Sequence, residues 1–326
     1  MSDARHPARD HAETVRTIAG SVTALGRAGF AASWRRSLLH HKIDPAMRSD
    51  HERLDAAAAR ARREASGVML SIASPVLDRL ARAACDAGCT VLLSDAGGLV
   101  LEERVRDGDA AHFHGANLAP GTDWSEGAEG TNGIGTCLAE QRPVVVWRDQ
   151  HFRSTNTGLT CMGAPIFGAE GELAGVIDVS SVRLDMTEGY ARLIALTVQD
   201  AAQRIEADLF RASFEGARIL STGAGESAPQ GVMLLAIDRD DLIVGATRAA
   251  RRHLDHEPCD RHDHHRALDD HHRAVLVDVD LRTRLAARVE PEARRHAAAL
   301  IGAKRGGIVR MRARGLKRFH QTDLVV

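Results

Sequence analysis

LTCMGAPIFGAEGELAGVIDVSS, residues Leu159 to Ser181, consists of two apolar runs separated by GAEG. A glycine-containing turn between such runs is the signature of a strand, a reversal and a second strand. Asp178 interrupts the second run. A carboxylate amid apolar strand residues must find a partner or face a pocket, because an unpaired buried charge is very costly. Asp178 is therefore the first candidate site residue, with a satisfied structural carboxylate as the alternative.

The same alternation of element and turn extends upstream. TVLLSD, AGG and LVLEERV (residues 90–105) read as strand, reversal and strand, and the second strand alternates as a half-buried one does. A Gly-, Asn- and acid-rich loop runs from Gly115 to Asn132; GIGTCLAEQ then predicts a short helix and PVVVW a strand. From Asp10 to Gly88 the chain is rich in Ala, Leu and Arg, broken at Asp44-Pro45 and Ser74-Pro75, which predicts several helices. Ser74 caps a helix that Pro75 opens, with Val76, Leu77, Leu80 and Ala84 as its stripe. Downstream, Ile194, Val198, Ala201, Ala202, Ile205 and Leu209 recur at helical spacing between Met186 and Phe214, predicting one long amphipathic helix.

STGAGESAPQG (Ser221 to Gly231) has linker composition. Beyond it VMLLAID, RDD and LIVGATRAARRHL read as strand, turn, strand and helix, and IVRMRARGL as one more strand. The expected organisation is α+β: a helical N-terminal region over 1–65, a sheet domain with a long closing helix over 66–217, a linker over 218–230 and a smaller α+β domain over 231–326.

The totals bound the function. In 326 residues, 44% are hydrophobic and 27% charged, ordinary for a folded protein. Lys plus Arg number 43 against 44 Asp plus Glu, so no global field draws the chain to nucleic acid or anionic membrane. The first 20 residues hold no apolar run, which predicts a cytoplasmic protein without a membrane anchor. Five cysteines, an odd number, argue for free thiols in a reducing compartment. Aromatic residues are 3%, too few for a base-stacking platform.

Several residues compete between chemistry and structure. In EGTNGIGT, Thr131 or Asn132 caps the following helix, whose N-terminus can hold an anion or carbonyl; turn-building alone also explains these residues. Trp124, Glu126 and Glu129 precede that turn and can supply an indole wall and a carboxylate to a small polar ligand, or serve as loop anchors. His151, Cys161 and Cys137 can make a thiol–imidazole pair, although Cys161 sits in an apolar run where inert thiols are common. The histidine-rich stretch from His253 to His272 holds His262, His264, His265 and Cys259, all metal-ligand types, but matches no defined zinc spacing and reads equally as a solvated insert. Between Arg282 and Arg318 basic residues outnumber acidic ones.

SWRRSLLHHKIDP (Ser33 to Pro45), WSEGAEGTNGIGTCLAEQRPVVV (Trp124 to Val146), the HF pair at His151 and the opening stretch together resemble the sensor half of the acetoin- and glycerol-catabolism (AcoR-type) sigma-54-dependent activators. The likeness covers about Ala31 to Phe214. It implies an N-terminal helical region, then a GAF domain, with a PAS-type module matching LLAIDRDDLIVGATRAARRHL. Such regulators normally continue into an ATPase and a Fis-type helix-turn-helix; this sequence contains no Gly-Lys dipeptide, so no GxxxxGK[ST] phosphate loop is expected.

The function expected is therefore a non-enzymatic, dimeric ligand sensor with no cofactor, binding an unidentified small-molecule effector and signalling through helices to a partner such as a separate transcription-activating protein. A thiol-dependent reductase on a GAF scaffold and a repressor binding DNA through the basic C-terminal segment are the alternatives.

Overall fold

The computed structural model describes residues 6–21, 30–48, 54–221, 232–239 and 243–255. They fall into two compact units, Met1–Gly168 with Glu172–Leu209, and Ala169–Gly171 with Phe210–Val326. The N-terminal helices thus belong to the first unit rather than standing apart.

That unit opens with α1 (His6–Gly20) and α2 (Ala31–Arg35), the latter running into a π-helical turn at Arg36–His40. In α3 (Ala56–Ala65) the Asp55 carboxylate accepts the Ala57 and Ala58 N–H groups as an N-cap. Next comes α4 (Gly67–Ala84), which runs straight through Pro75 instead of starting there. The expected break at Ser74-Pro75 fails because Met69 and Ala73 upstream share one buried stripe with Leu77, Leu80 and Ala84. Packing of that stripe outweighs the hydrogen bond the proline lacks.

β1 (Cys89–Asp95) and β2 (Val100–Arg104) form the expected hairpin. α5 (Asp107–Gly115) follows, then the one-turn α6 (Glu126–Glu129) and α7 (Gly133–Glu140). β3 (Val144–Trp147), β4 (Thr160–Phe167) and β5 (Leu173–Ser181) complete a sheet of order β2-β1-β5-β4-β3 in which every pairing is antiparallel. α8 (Glu188–Ser213) closes the unit.

Alternation along the strands sorts side chains onto two faces. Val91, Leu93, Met162, Ala164, Ile166, Ile177 and Val179 meet the stripes of α4 and α8 in one core. Leu92, Val100, Val144, Val146, Cys161 and Val176 meet Phe113, Leu118, Trp124 and Ile134 in the other. The second face carries Asp178 and Ser180, because they lie in step with Val176 along β5.

In the second unit β6 (Arg218–Ser221), β7 (Leu234–Ile237) and β8 (Ile243–Ala246) form an antiparallel sheet in that order, followed by α9 (Arg248–Asp255). Residues 218–221, assigned to the linker by composition, are instead a strand: they pair in register with β7, and Leu220 packs against the cluster around Leu235. His262, His264, His265 and the basic stretch lie outside the described residues. No helix among the described residues is long and apolar enough to cross a membrane.

Candidate functional site

The ladder between β4 and β5 places Gly163 opposite Asp178 and Cys161 opposite Ser180. Above these four residues lies the first turn of α7. Asn132 caps it: Oδ1 accepts the Ile134 and Gly135 N–H groups at 2.9 and 2.8 Å, and Nδ2 donates to the Trp124 and Gly130 carbonyls. The helix sits directly on the sheet because two glycines meet. A Cβ on Gly133 would lie 2.3 Å from Asp178 Oδ1, and one on Gly163 would lie 2.5 Å from the Gly133 carbonyl oxygen.

A chain of polar side chains runs beneath this turn. Ser180 Oγ donates to Asp178 Oδ2 at 2.6 Å and lies 3.1 Å from Cys161 Sγ. Cys161 Sγ also lies 3.3 Å from His151 Nε2. His151 Nδ1 is 2.9 Å from the Arg148 carbonyl, which can only accept, so Nδ1 carries the ring proton and Nε2 receives the Cys161 S–H. Asp178 Oδ1, at the other end of the chain, has no hydrogen-bond partner among the described residues.

Burial sets the electrostatics. It pushes Asp178 up to about 6, although the Ser180 hydrogen bond opposes the shift, and holds His151 down at about 4. The Cys161 thiol is pushed up by burial and further by the nearby Asp178 charge. At neutral pH the thiol and imidazole are both uncharged while Asp178 is largely ionised. Nucleophilic or redox thiol chemistry needs a depressed thiol pKa, and burial drives both Cys161 and Cys137 the opposite way. The thiol and imidazole thus form an uncharged pair beside a carboxylate.

At the helix end the Ile134 and Gly135 amides are engaged by Asn132, as turn-building alone requires, and Gly133 packs against the Asp178 carboxylate. The other candidates divide. Asn132, His151, Cys161 and Asp178 come together. Cys137 lies further along α7, its Sγ 3.3 Å from the Arg142 carbonyl oxygen. Trp124 is a core anchor whose Nε1 donates to the Asn117 carbonyl. Glu129 is a buried structural carboxylate paired with Arg153 at 3.3 Å. Thr131 Oγ1 joins a hydroxyl cluster with Ser33 Oγ at 2.6 Å. Ser180 and Gly163 went unread as site residues, although the two-residue step from Asp178 to Ser180 on one strand is a signal that both share a face.

His151 has a measurable consequence. Its pKa lies below the ordinary histidine value near 6.5, so the stability it contributes is present above about pH 6.5 and is lost as pH falls toward 4, about 3 kcal/mol in all. His151→Gln keeps a donor for the Arg148 carbonyl and removes the titration. Urea unfolding at pH 7.5 and 4.5 should show the variant losing less stability on acidification than the parent; parallel losses would contradict the assignment.

The sequence model of the family described as "MimR, N-terminal domain" matches residues 11–206. The chain belongs to this family. The match spans α1 through most of α8 and so includes the whole site. Among named relatives of this MimR-type chain, the acetoin catabolism regulatory protein of Cupriavidus necator is 30% identical over 230 residues, covering 69% of this chain and 34% of the relative. The acetoin dehydrogenase operon transcriptional activator AcoR of Bacillus subtilis is 31% identical over 185 residues, 56% of this chain and 29% of the activator. The propane 2-monooxygenase operon transcriptional activator MimR of Mycolicibacterium smegmatis is 36% identical over 114 residues, 34% and 20% of the respective chains. The chain thus spans about a third or less of the length of these regulators. Its fold is shared with a chain in the crystal structure of the E. coli DhaR(N)–DhaL complex, with a TM-score of 0.50 at 14% identity over 76% of this chain and 85% of that one.

Proposed function

We propose that this chain is the sensor part of a transcriptional regulator, and that its first unit is a GAF-type domain binding a small, uncharged metabolite that donates a hydrogen bond to Asp178 Oδ1. The observation that carries this reading is the buried carboxylate with one oxygen unpartnered at a helix–sheet junction. A buried acceptor that makes no bond costs on the order of 1–3 kcal/mol, which a donating ligand would recover. An anion is disfavoured by repulsion from Asp178, whereas an alcohol, polyol or hydroxylated carbonyl of two to four carbons supplies the missing donor in a small volume. The names of the relatives, all regulators or activators, support a regulatory role.

In this reading the ligand biases two states through unequal affinity, and α8 carries the difference to a second copy or to a separate output protein. The complex of DhaR(N) with DhaL supports the second mode, since there the similar fold is found with another protein. A thermal-melting panel of C2–C4 alcohols, polyols, ketones and carboxylates tests the ligand. A neutral hydroxyl compound present at about 100 times its Kd should stabilise the protein by about 2.7 kcal/mol, a shift of roughly 5–10 °C. No shift with any neutral compound, or a shift only with carboxylates, would overturn the reading.

A further inference from the structure

The helical pair α1–α2 has a small core of its own. Val15 and Ala19 of α1 meet Trp34 of α2, with Ile18, Phe30 and Leu38 packed against them and Phe152 joining from the segment after His151. Arg35 Nη1 donates to the Ala19 carbonyl at 3.1 Å, and Arg16 is ion-paired with Asp44 at 2.6 Å. The two helices are thus built to hold together as one piece.

That piece is bonded to the two segments that frame the Asp178 site. The first carries α7. Ser33 Oγ donates to the buried Glu126 carboxylate and lies 2.6 Å from Thr131 Oγ1 and 3.2 Å from Thr136 Oγ1, so it holds residues on both sides of the Asn132 cap. Arg36 binds Glu126 through Nε at 2.8 Å and Nη2 at 3.0 Å, and the same Nη2 reaches Glu140, the last residue of α7, at 3.3 Å. The helix that rests on Asp178 through Gly133 is therefore clamped by α2 at its first turn and at its end. The second segment carries His151. His11 Nε2 of α1 donates to the His151 carbonyl at 3.0 Å and Trp34 Nε1 to the Gln150 carbonyl at 2.8 Å, while the His151 ring lies against Cys161.

Gly133 and Asp178 leave no room for another atom between them, since even a Cβ there would overlap the carboxylate. A ligand that reaches Asp178 Oδ1 therefore displaces the first turn of α7, His151 or both, and either displacement pulls on bonds that end in α1–α2. Packed interfaces answer such a pull by switching between discrete arrangements rather than by deforming continuously. α8, by contrast, packs on the opposite face of the sheet.

We propose that α1–α2 is a readout element of the Asp178 site, shifted between a docked and a released arrangement by movement of α7 or His151. Ser33 and Arg36 carry the coupling on one segment, His11 and Trp34 on the other. The event that moves α7 rests on the ligand reading above, but the test uses no ligand, so a failed ligand panel and a failed coupling are told apart. With the clamp closed, α7 seals the carboxylate from water; with it cut, α7 lifts more readily and part of that desolvation is relieved. Asp178→Asn should therefore raise the folding constant of the first unit by a smaller factor in Arg36→Gln and in Ser33→Ala than in the parent, measured by urea unfolding of the full chain at pH 8. Independent sites add to within about twofold; here the factor should fall by more than that, about fivefold being the low end of coupled sites. Arg63→Gln on α3, whose partner Glu102 lies on β2, is the control and should leave the factor within twofold. A factor unchanged within twofold in the clamp variants, a larger factor, or an equal fall in the control would overturn the proposal.

Discussion

Asp178→Asn is expected to be more stable than the parent at pH 8, by about 3 kcal/mol, and to lose the response to ligand. The folded-state pKa of Asp178 is raised from the usual carboxylate range to about 6. A raised acid contributes its stability fully below the unfolded pKa near 4 and loses it as pH climbs through the folded value, so above pH 6 the parent carries the whole cost of an ionised, desolvated carboxylate. The amide is neutral and isosteric, and Ser180 can still bond to it. Stabilisation should be roughly halved at pH 5, where part of the cost has not yet accrued, and should correspond at pH 8 to a rise in Tm of roughly 6–12 °C. Melting curves at both pH values, with and without the best neutral ligand, check the two halves of the expectation. A variant no more stable than the parent at pH 8 would show that Asp178 is satisfied in the folded state, and a full ligand response in the variant would remove it from the site.

Gly133→Ala should go the other way. Intrinsic propensity favours alanine over glycine by up to about 1 kcal/mol inside a helix. The added Cβ, however, falls 2.3 Å from Asp178 Oδ1 and 2.5 Å from Cys161 Cβ, both fixed in a buried ladder. Forcing atoms into a packed site costs about 1–3 kcal/mol or more, and relief here means lifting α7 off β4 and β5 with its Asn132 cap. We expect net destabilisation of about 2 kcal/mol, roughly 4–8 °C in Tm, together with loss of ligand response. Gly189→Ala is the control: a Cβ there meets nothing within 4 Å, so that substitution should be neutral or slightly stabilising. Equal behaviour of the two variants would show that the helix–sheet fit tolerates the methyl group.

The first hairpin and the closing helix were legible because each carries its own signal: an apolar run around Leu92 bounded by turn residues, alternation in the strand after it, and a helical stripe from Ile194 to Leu209. Helix α5 was not, since its one buried residue, Phe113, leaves no stripe to see. Pro75 misled for the opposite reason, a strong local cue overruled by packing that only the folded chain reveals. Asp178 stood out as a charge in an apolar run. Asn132, His151 and Cys161 were also legible as candidates, but Ser180 and Gly163 were not, because their place depends on register across β4 and β5 and on the approach of α7. The bond from Ser33 to Glu126 joins residues 93 positions apart, which no local pattern announces.

The strand order holds a consequence for how this unit comes to exist. β5 is the last of its five strands to be synthesised, yet it lies at the centre, with β1 on one side and β4 on the other. During translation the hairpin of β1 and β2 and the hairpin of β3 and β4 can each close early, since their partners are near in sequence. Both then wait with an unpaired edge, the feature through which nascent sheets aggregate. Only when residues 173–181 emerge can the two halves join, and the same insertion delivers Asp178. The buried carboxylate and the keystone of the sheet arrive in one event, so a chain that has not completed its fold has not yet assembled the junction of α7 with β4 and β5.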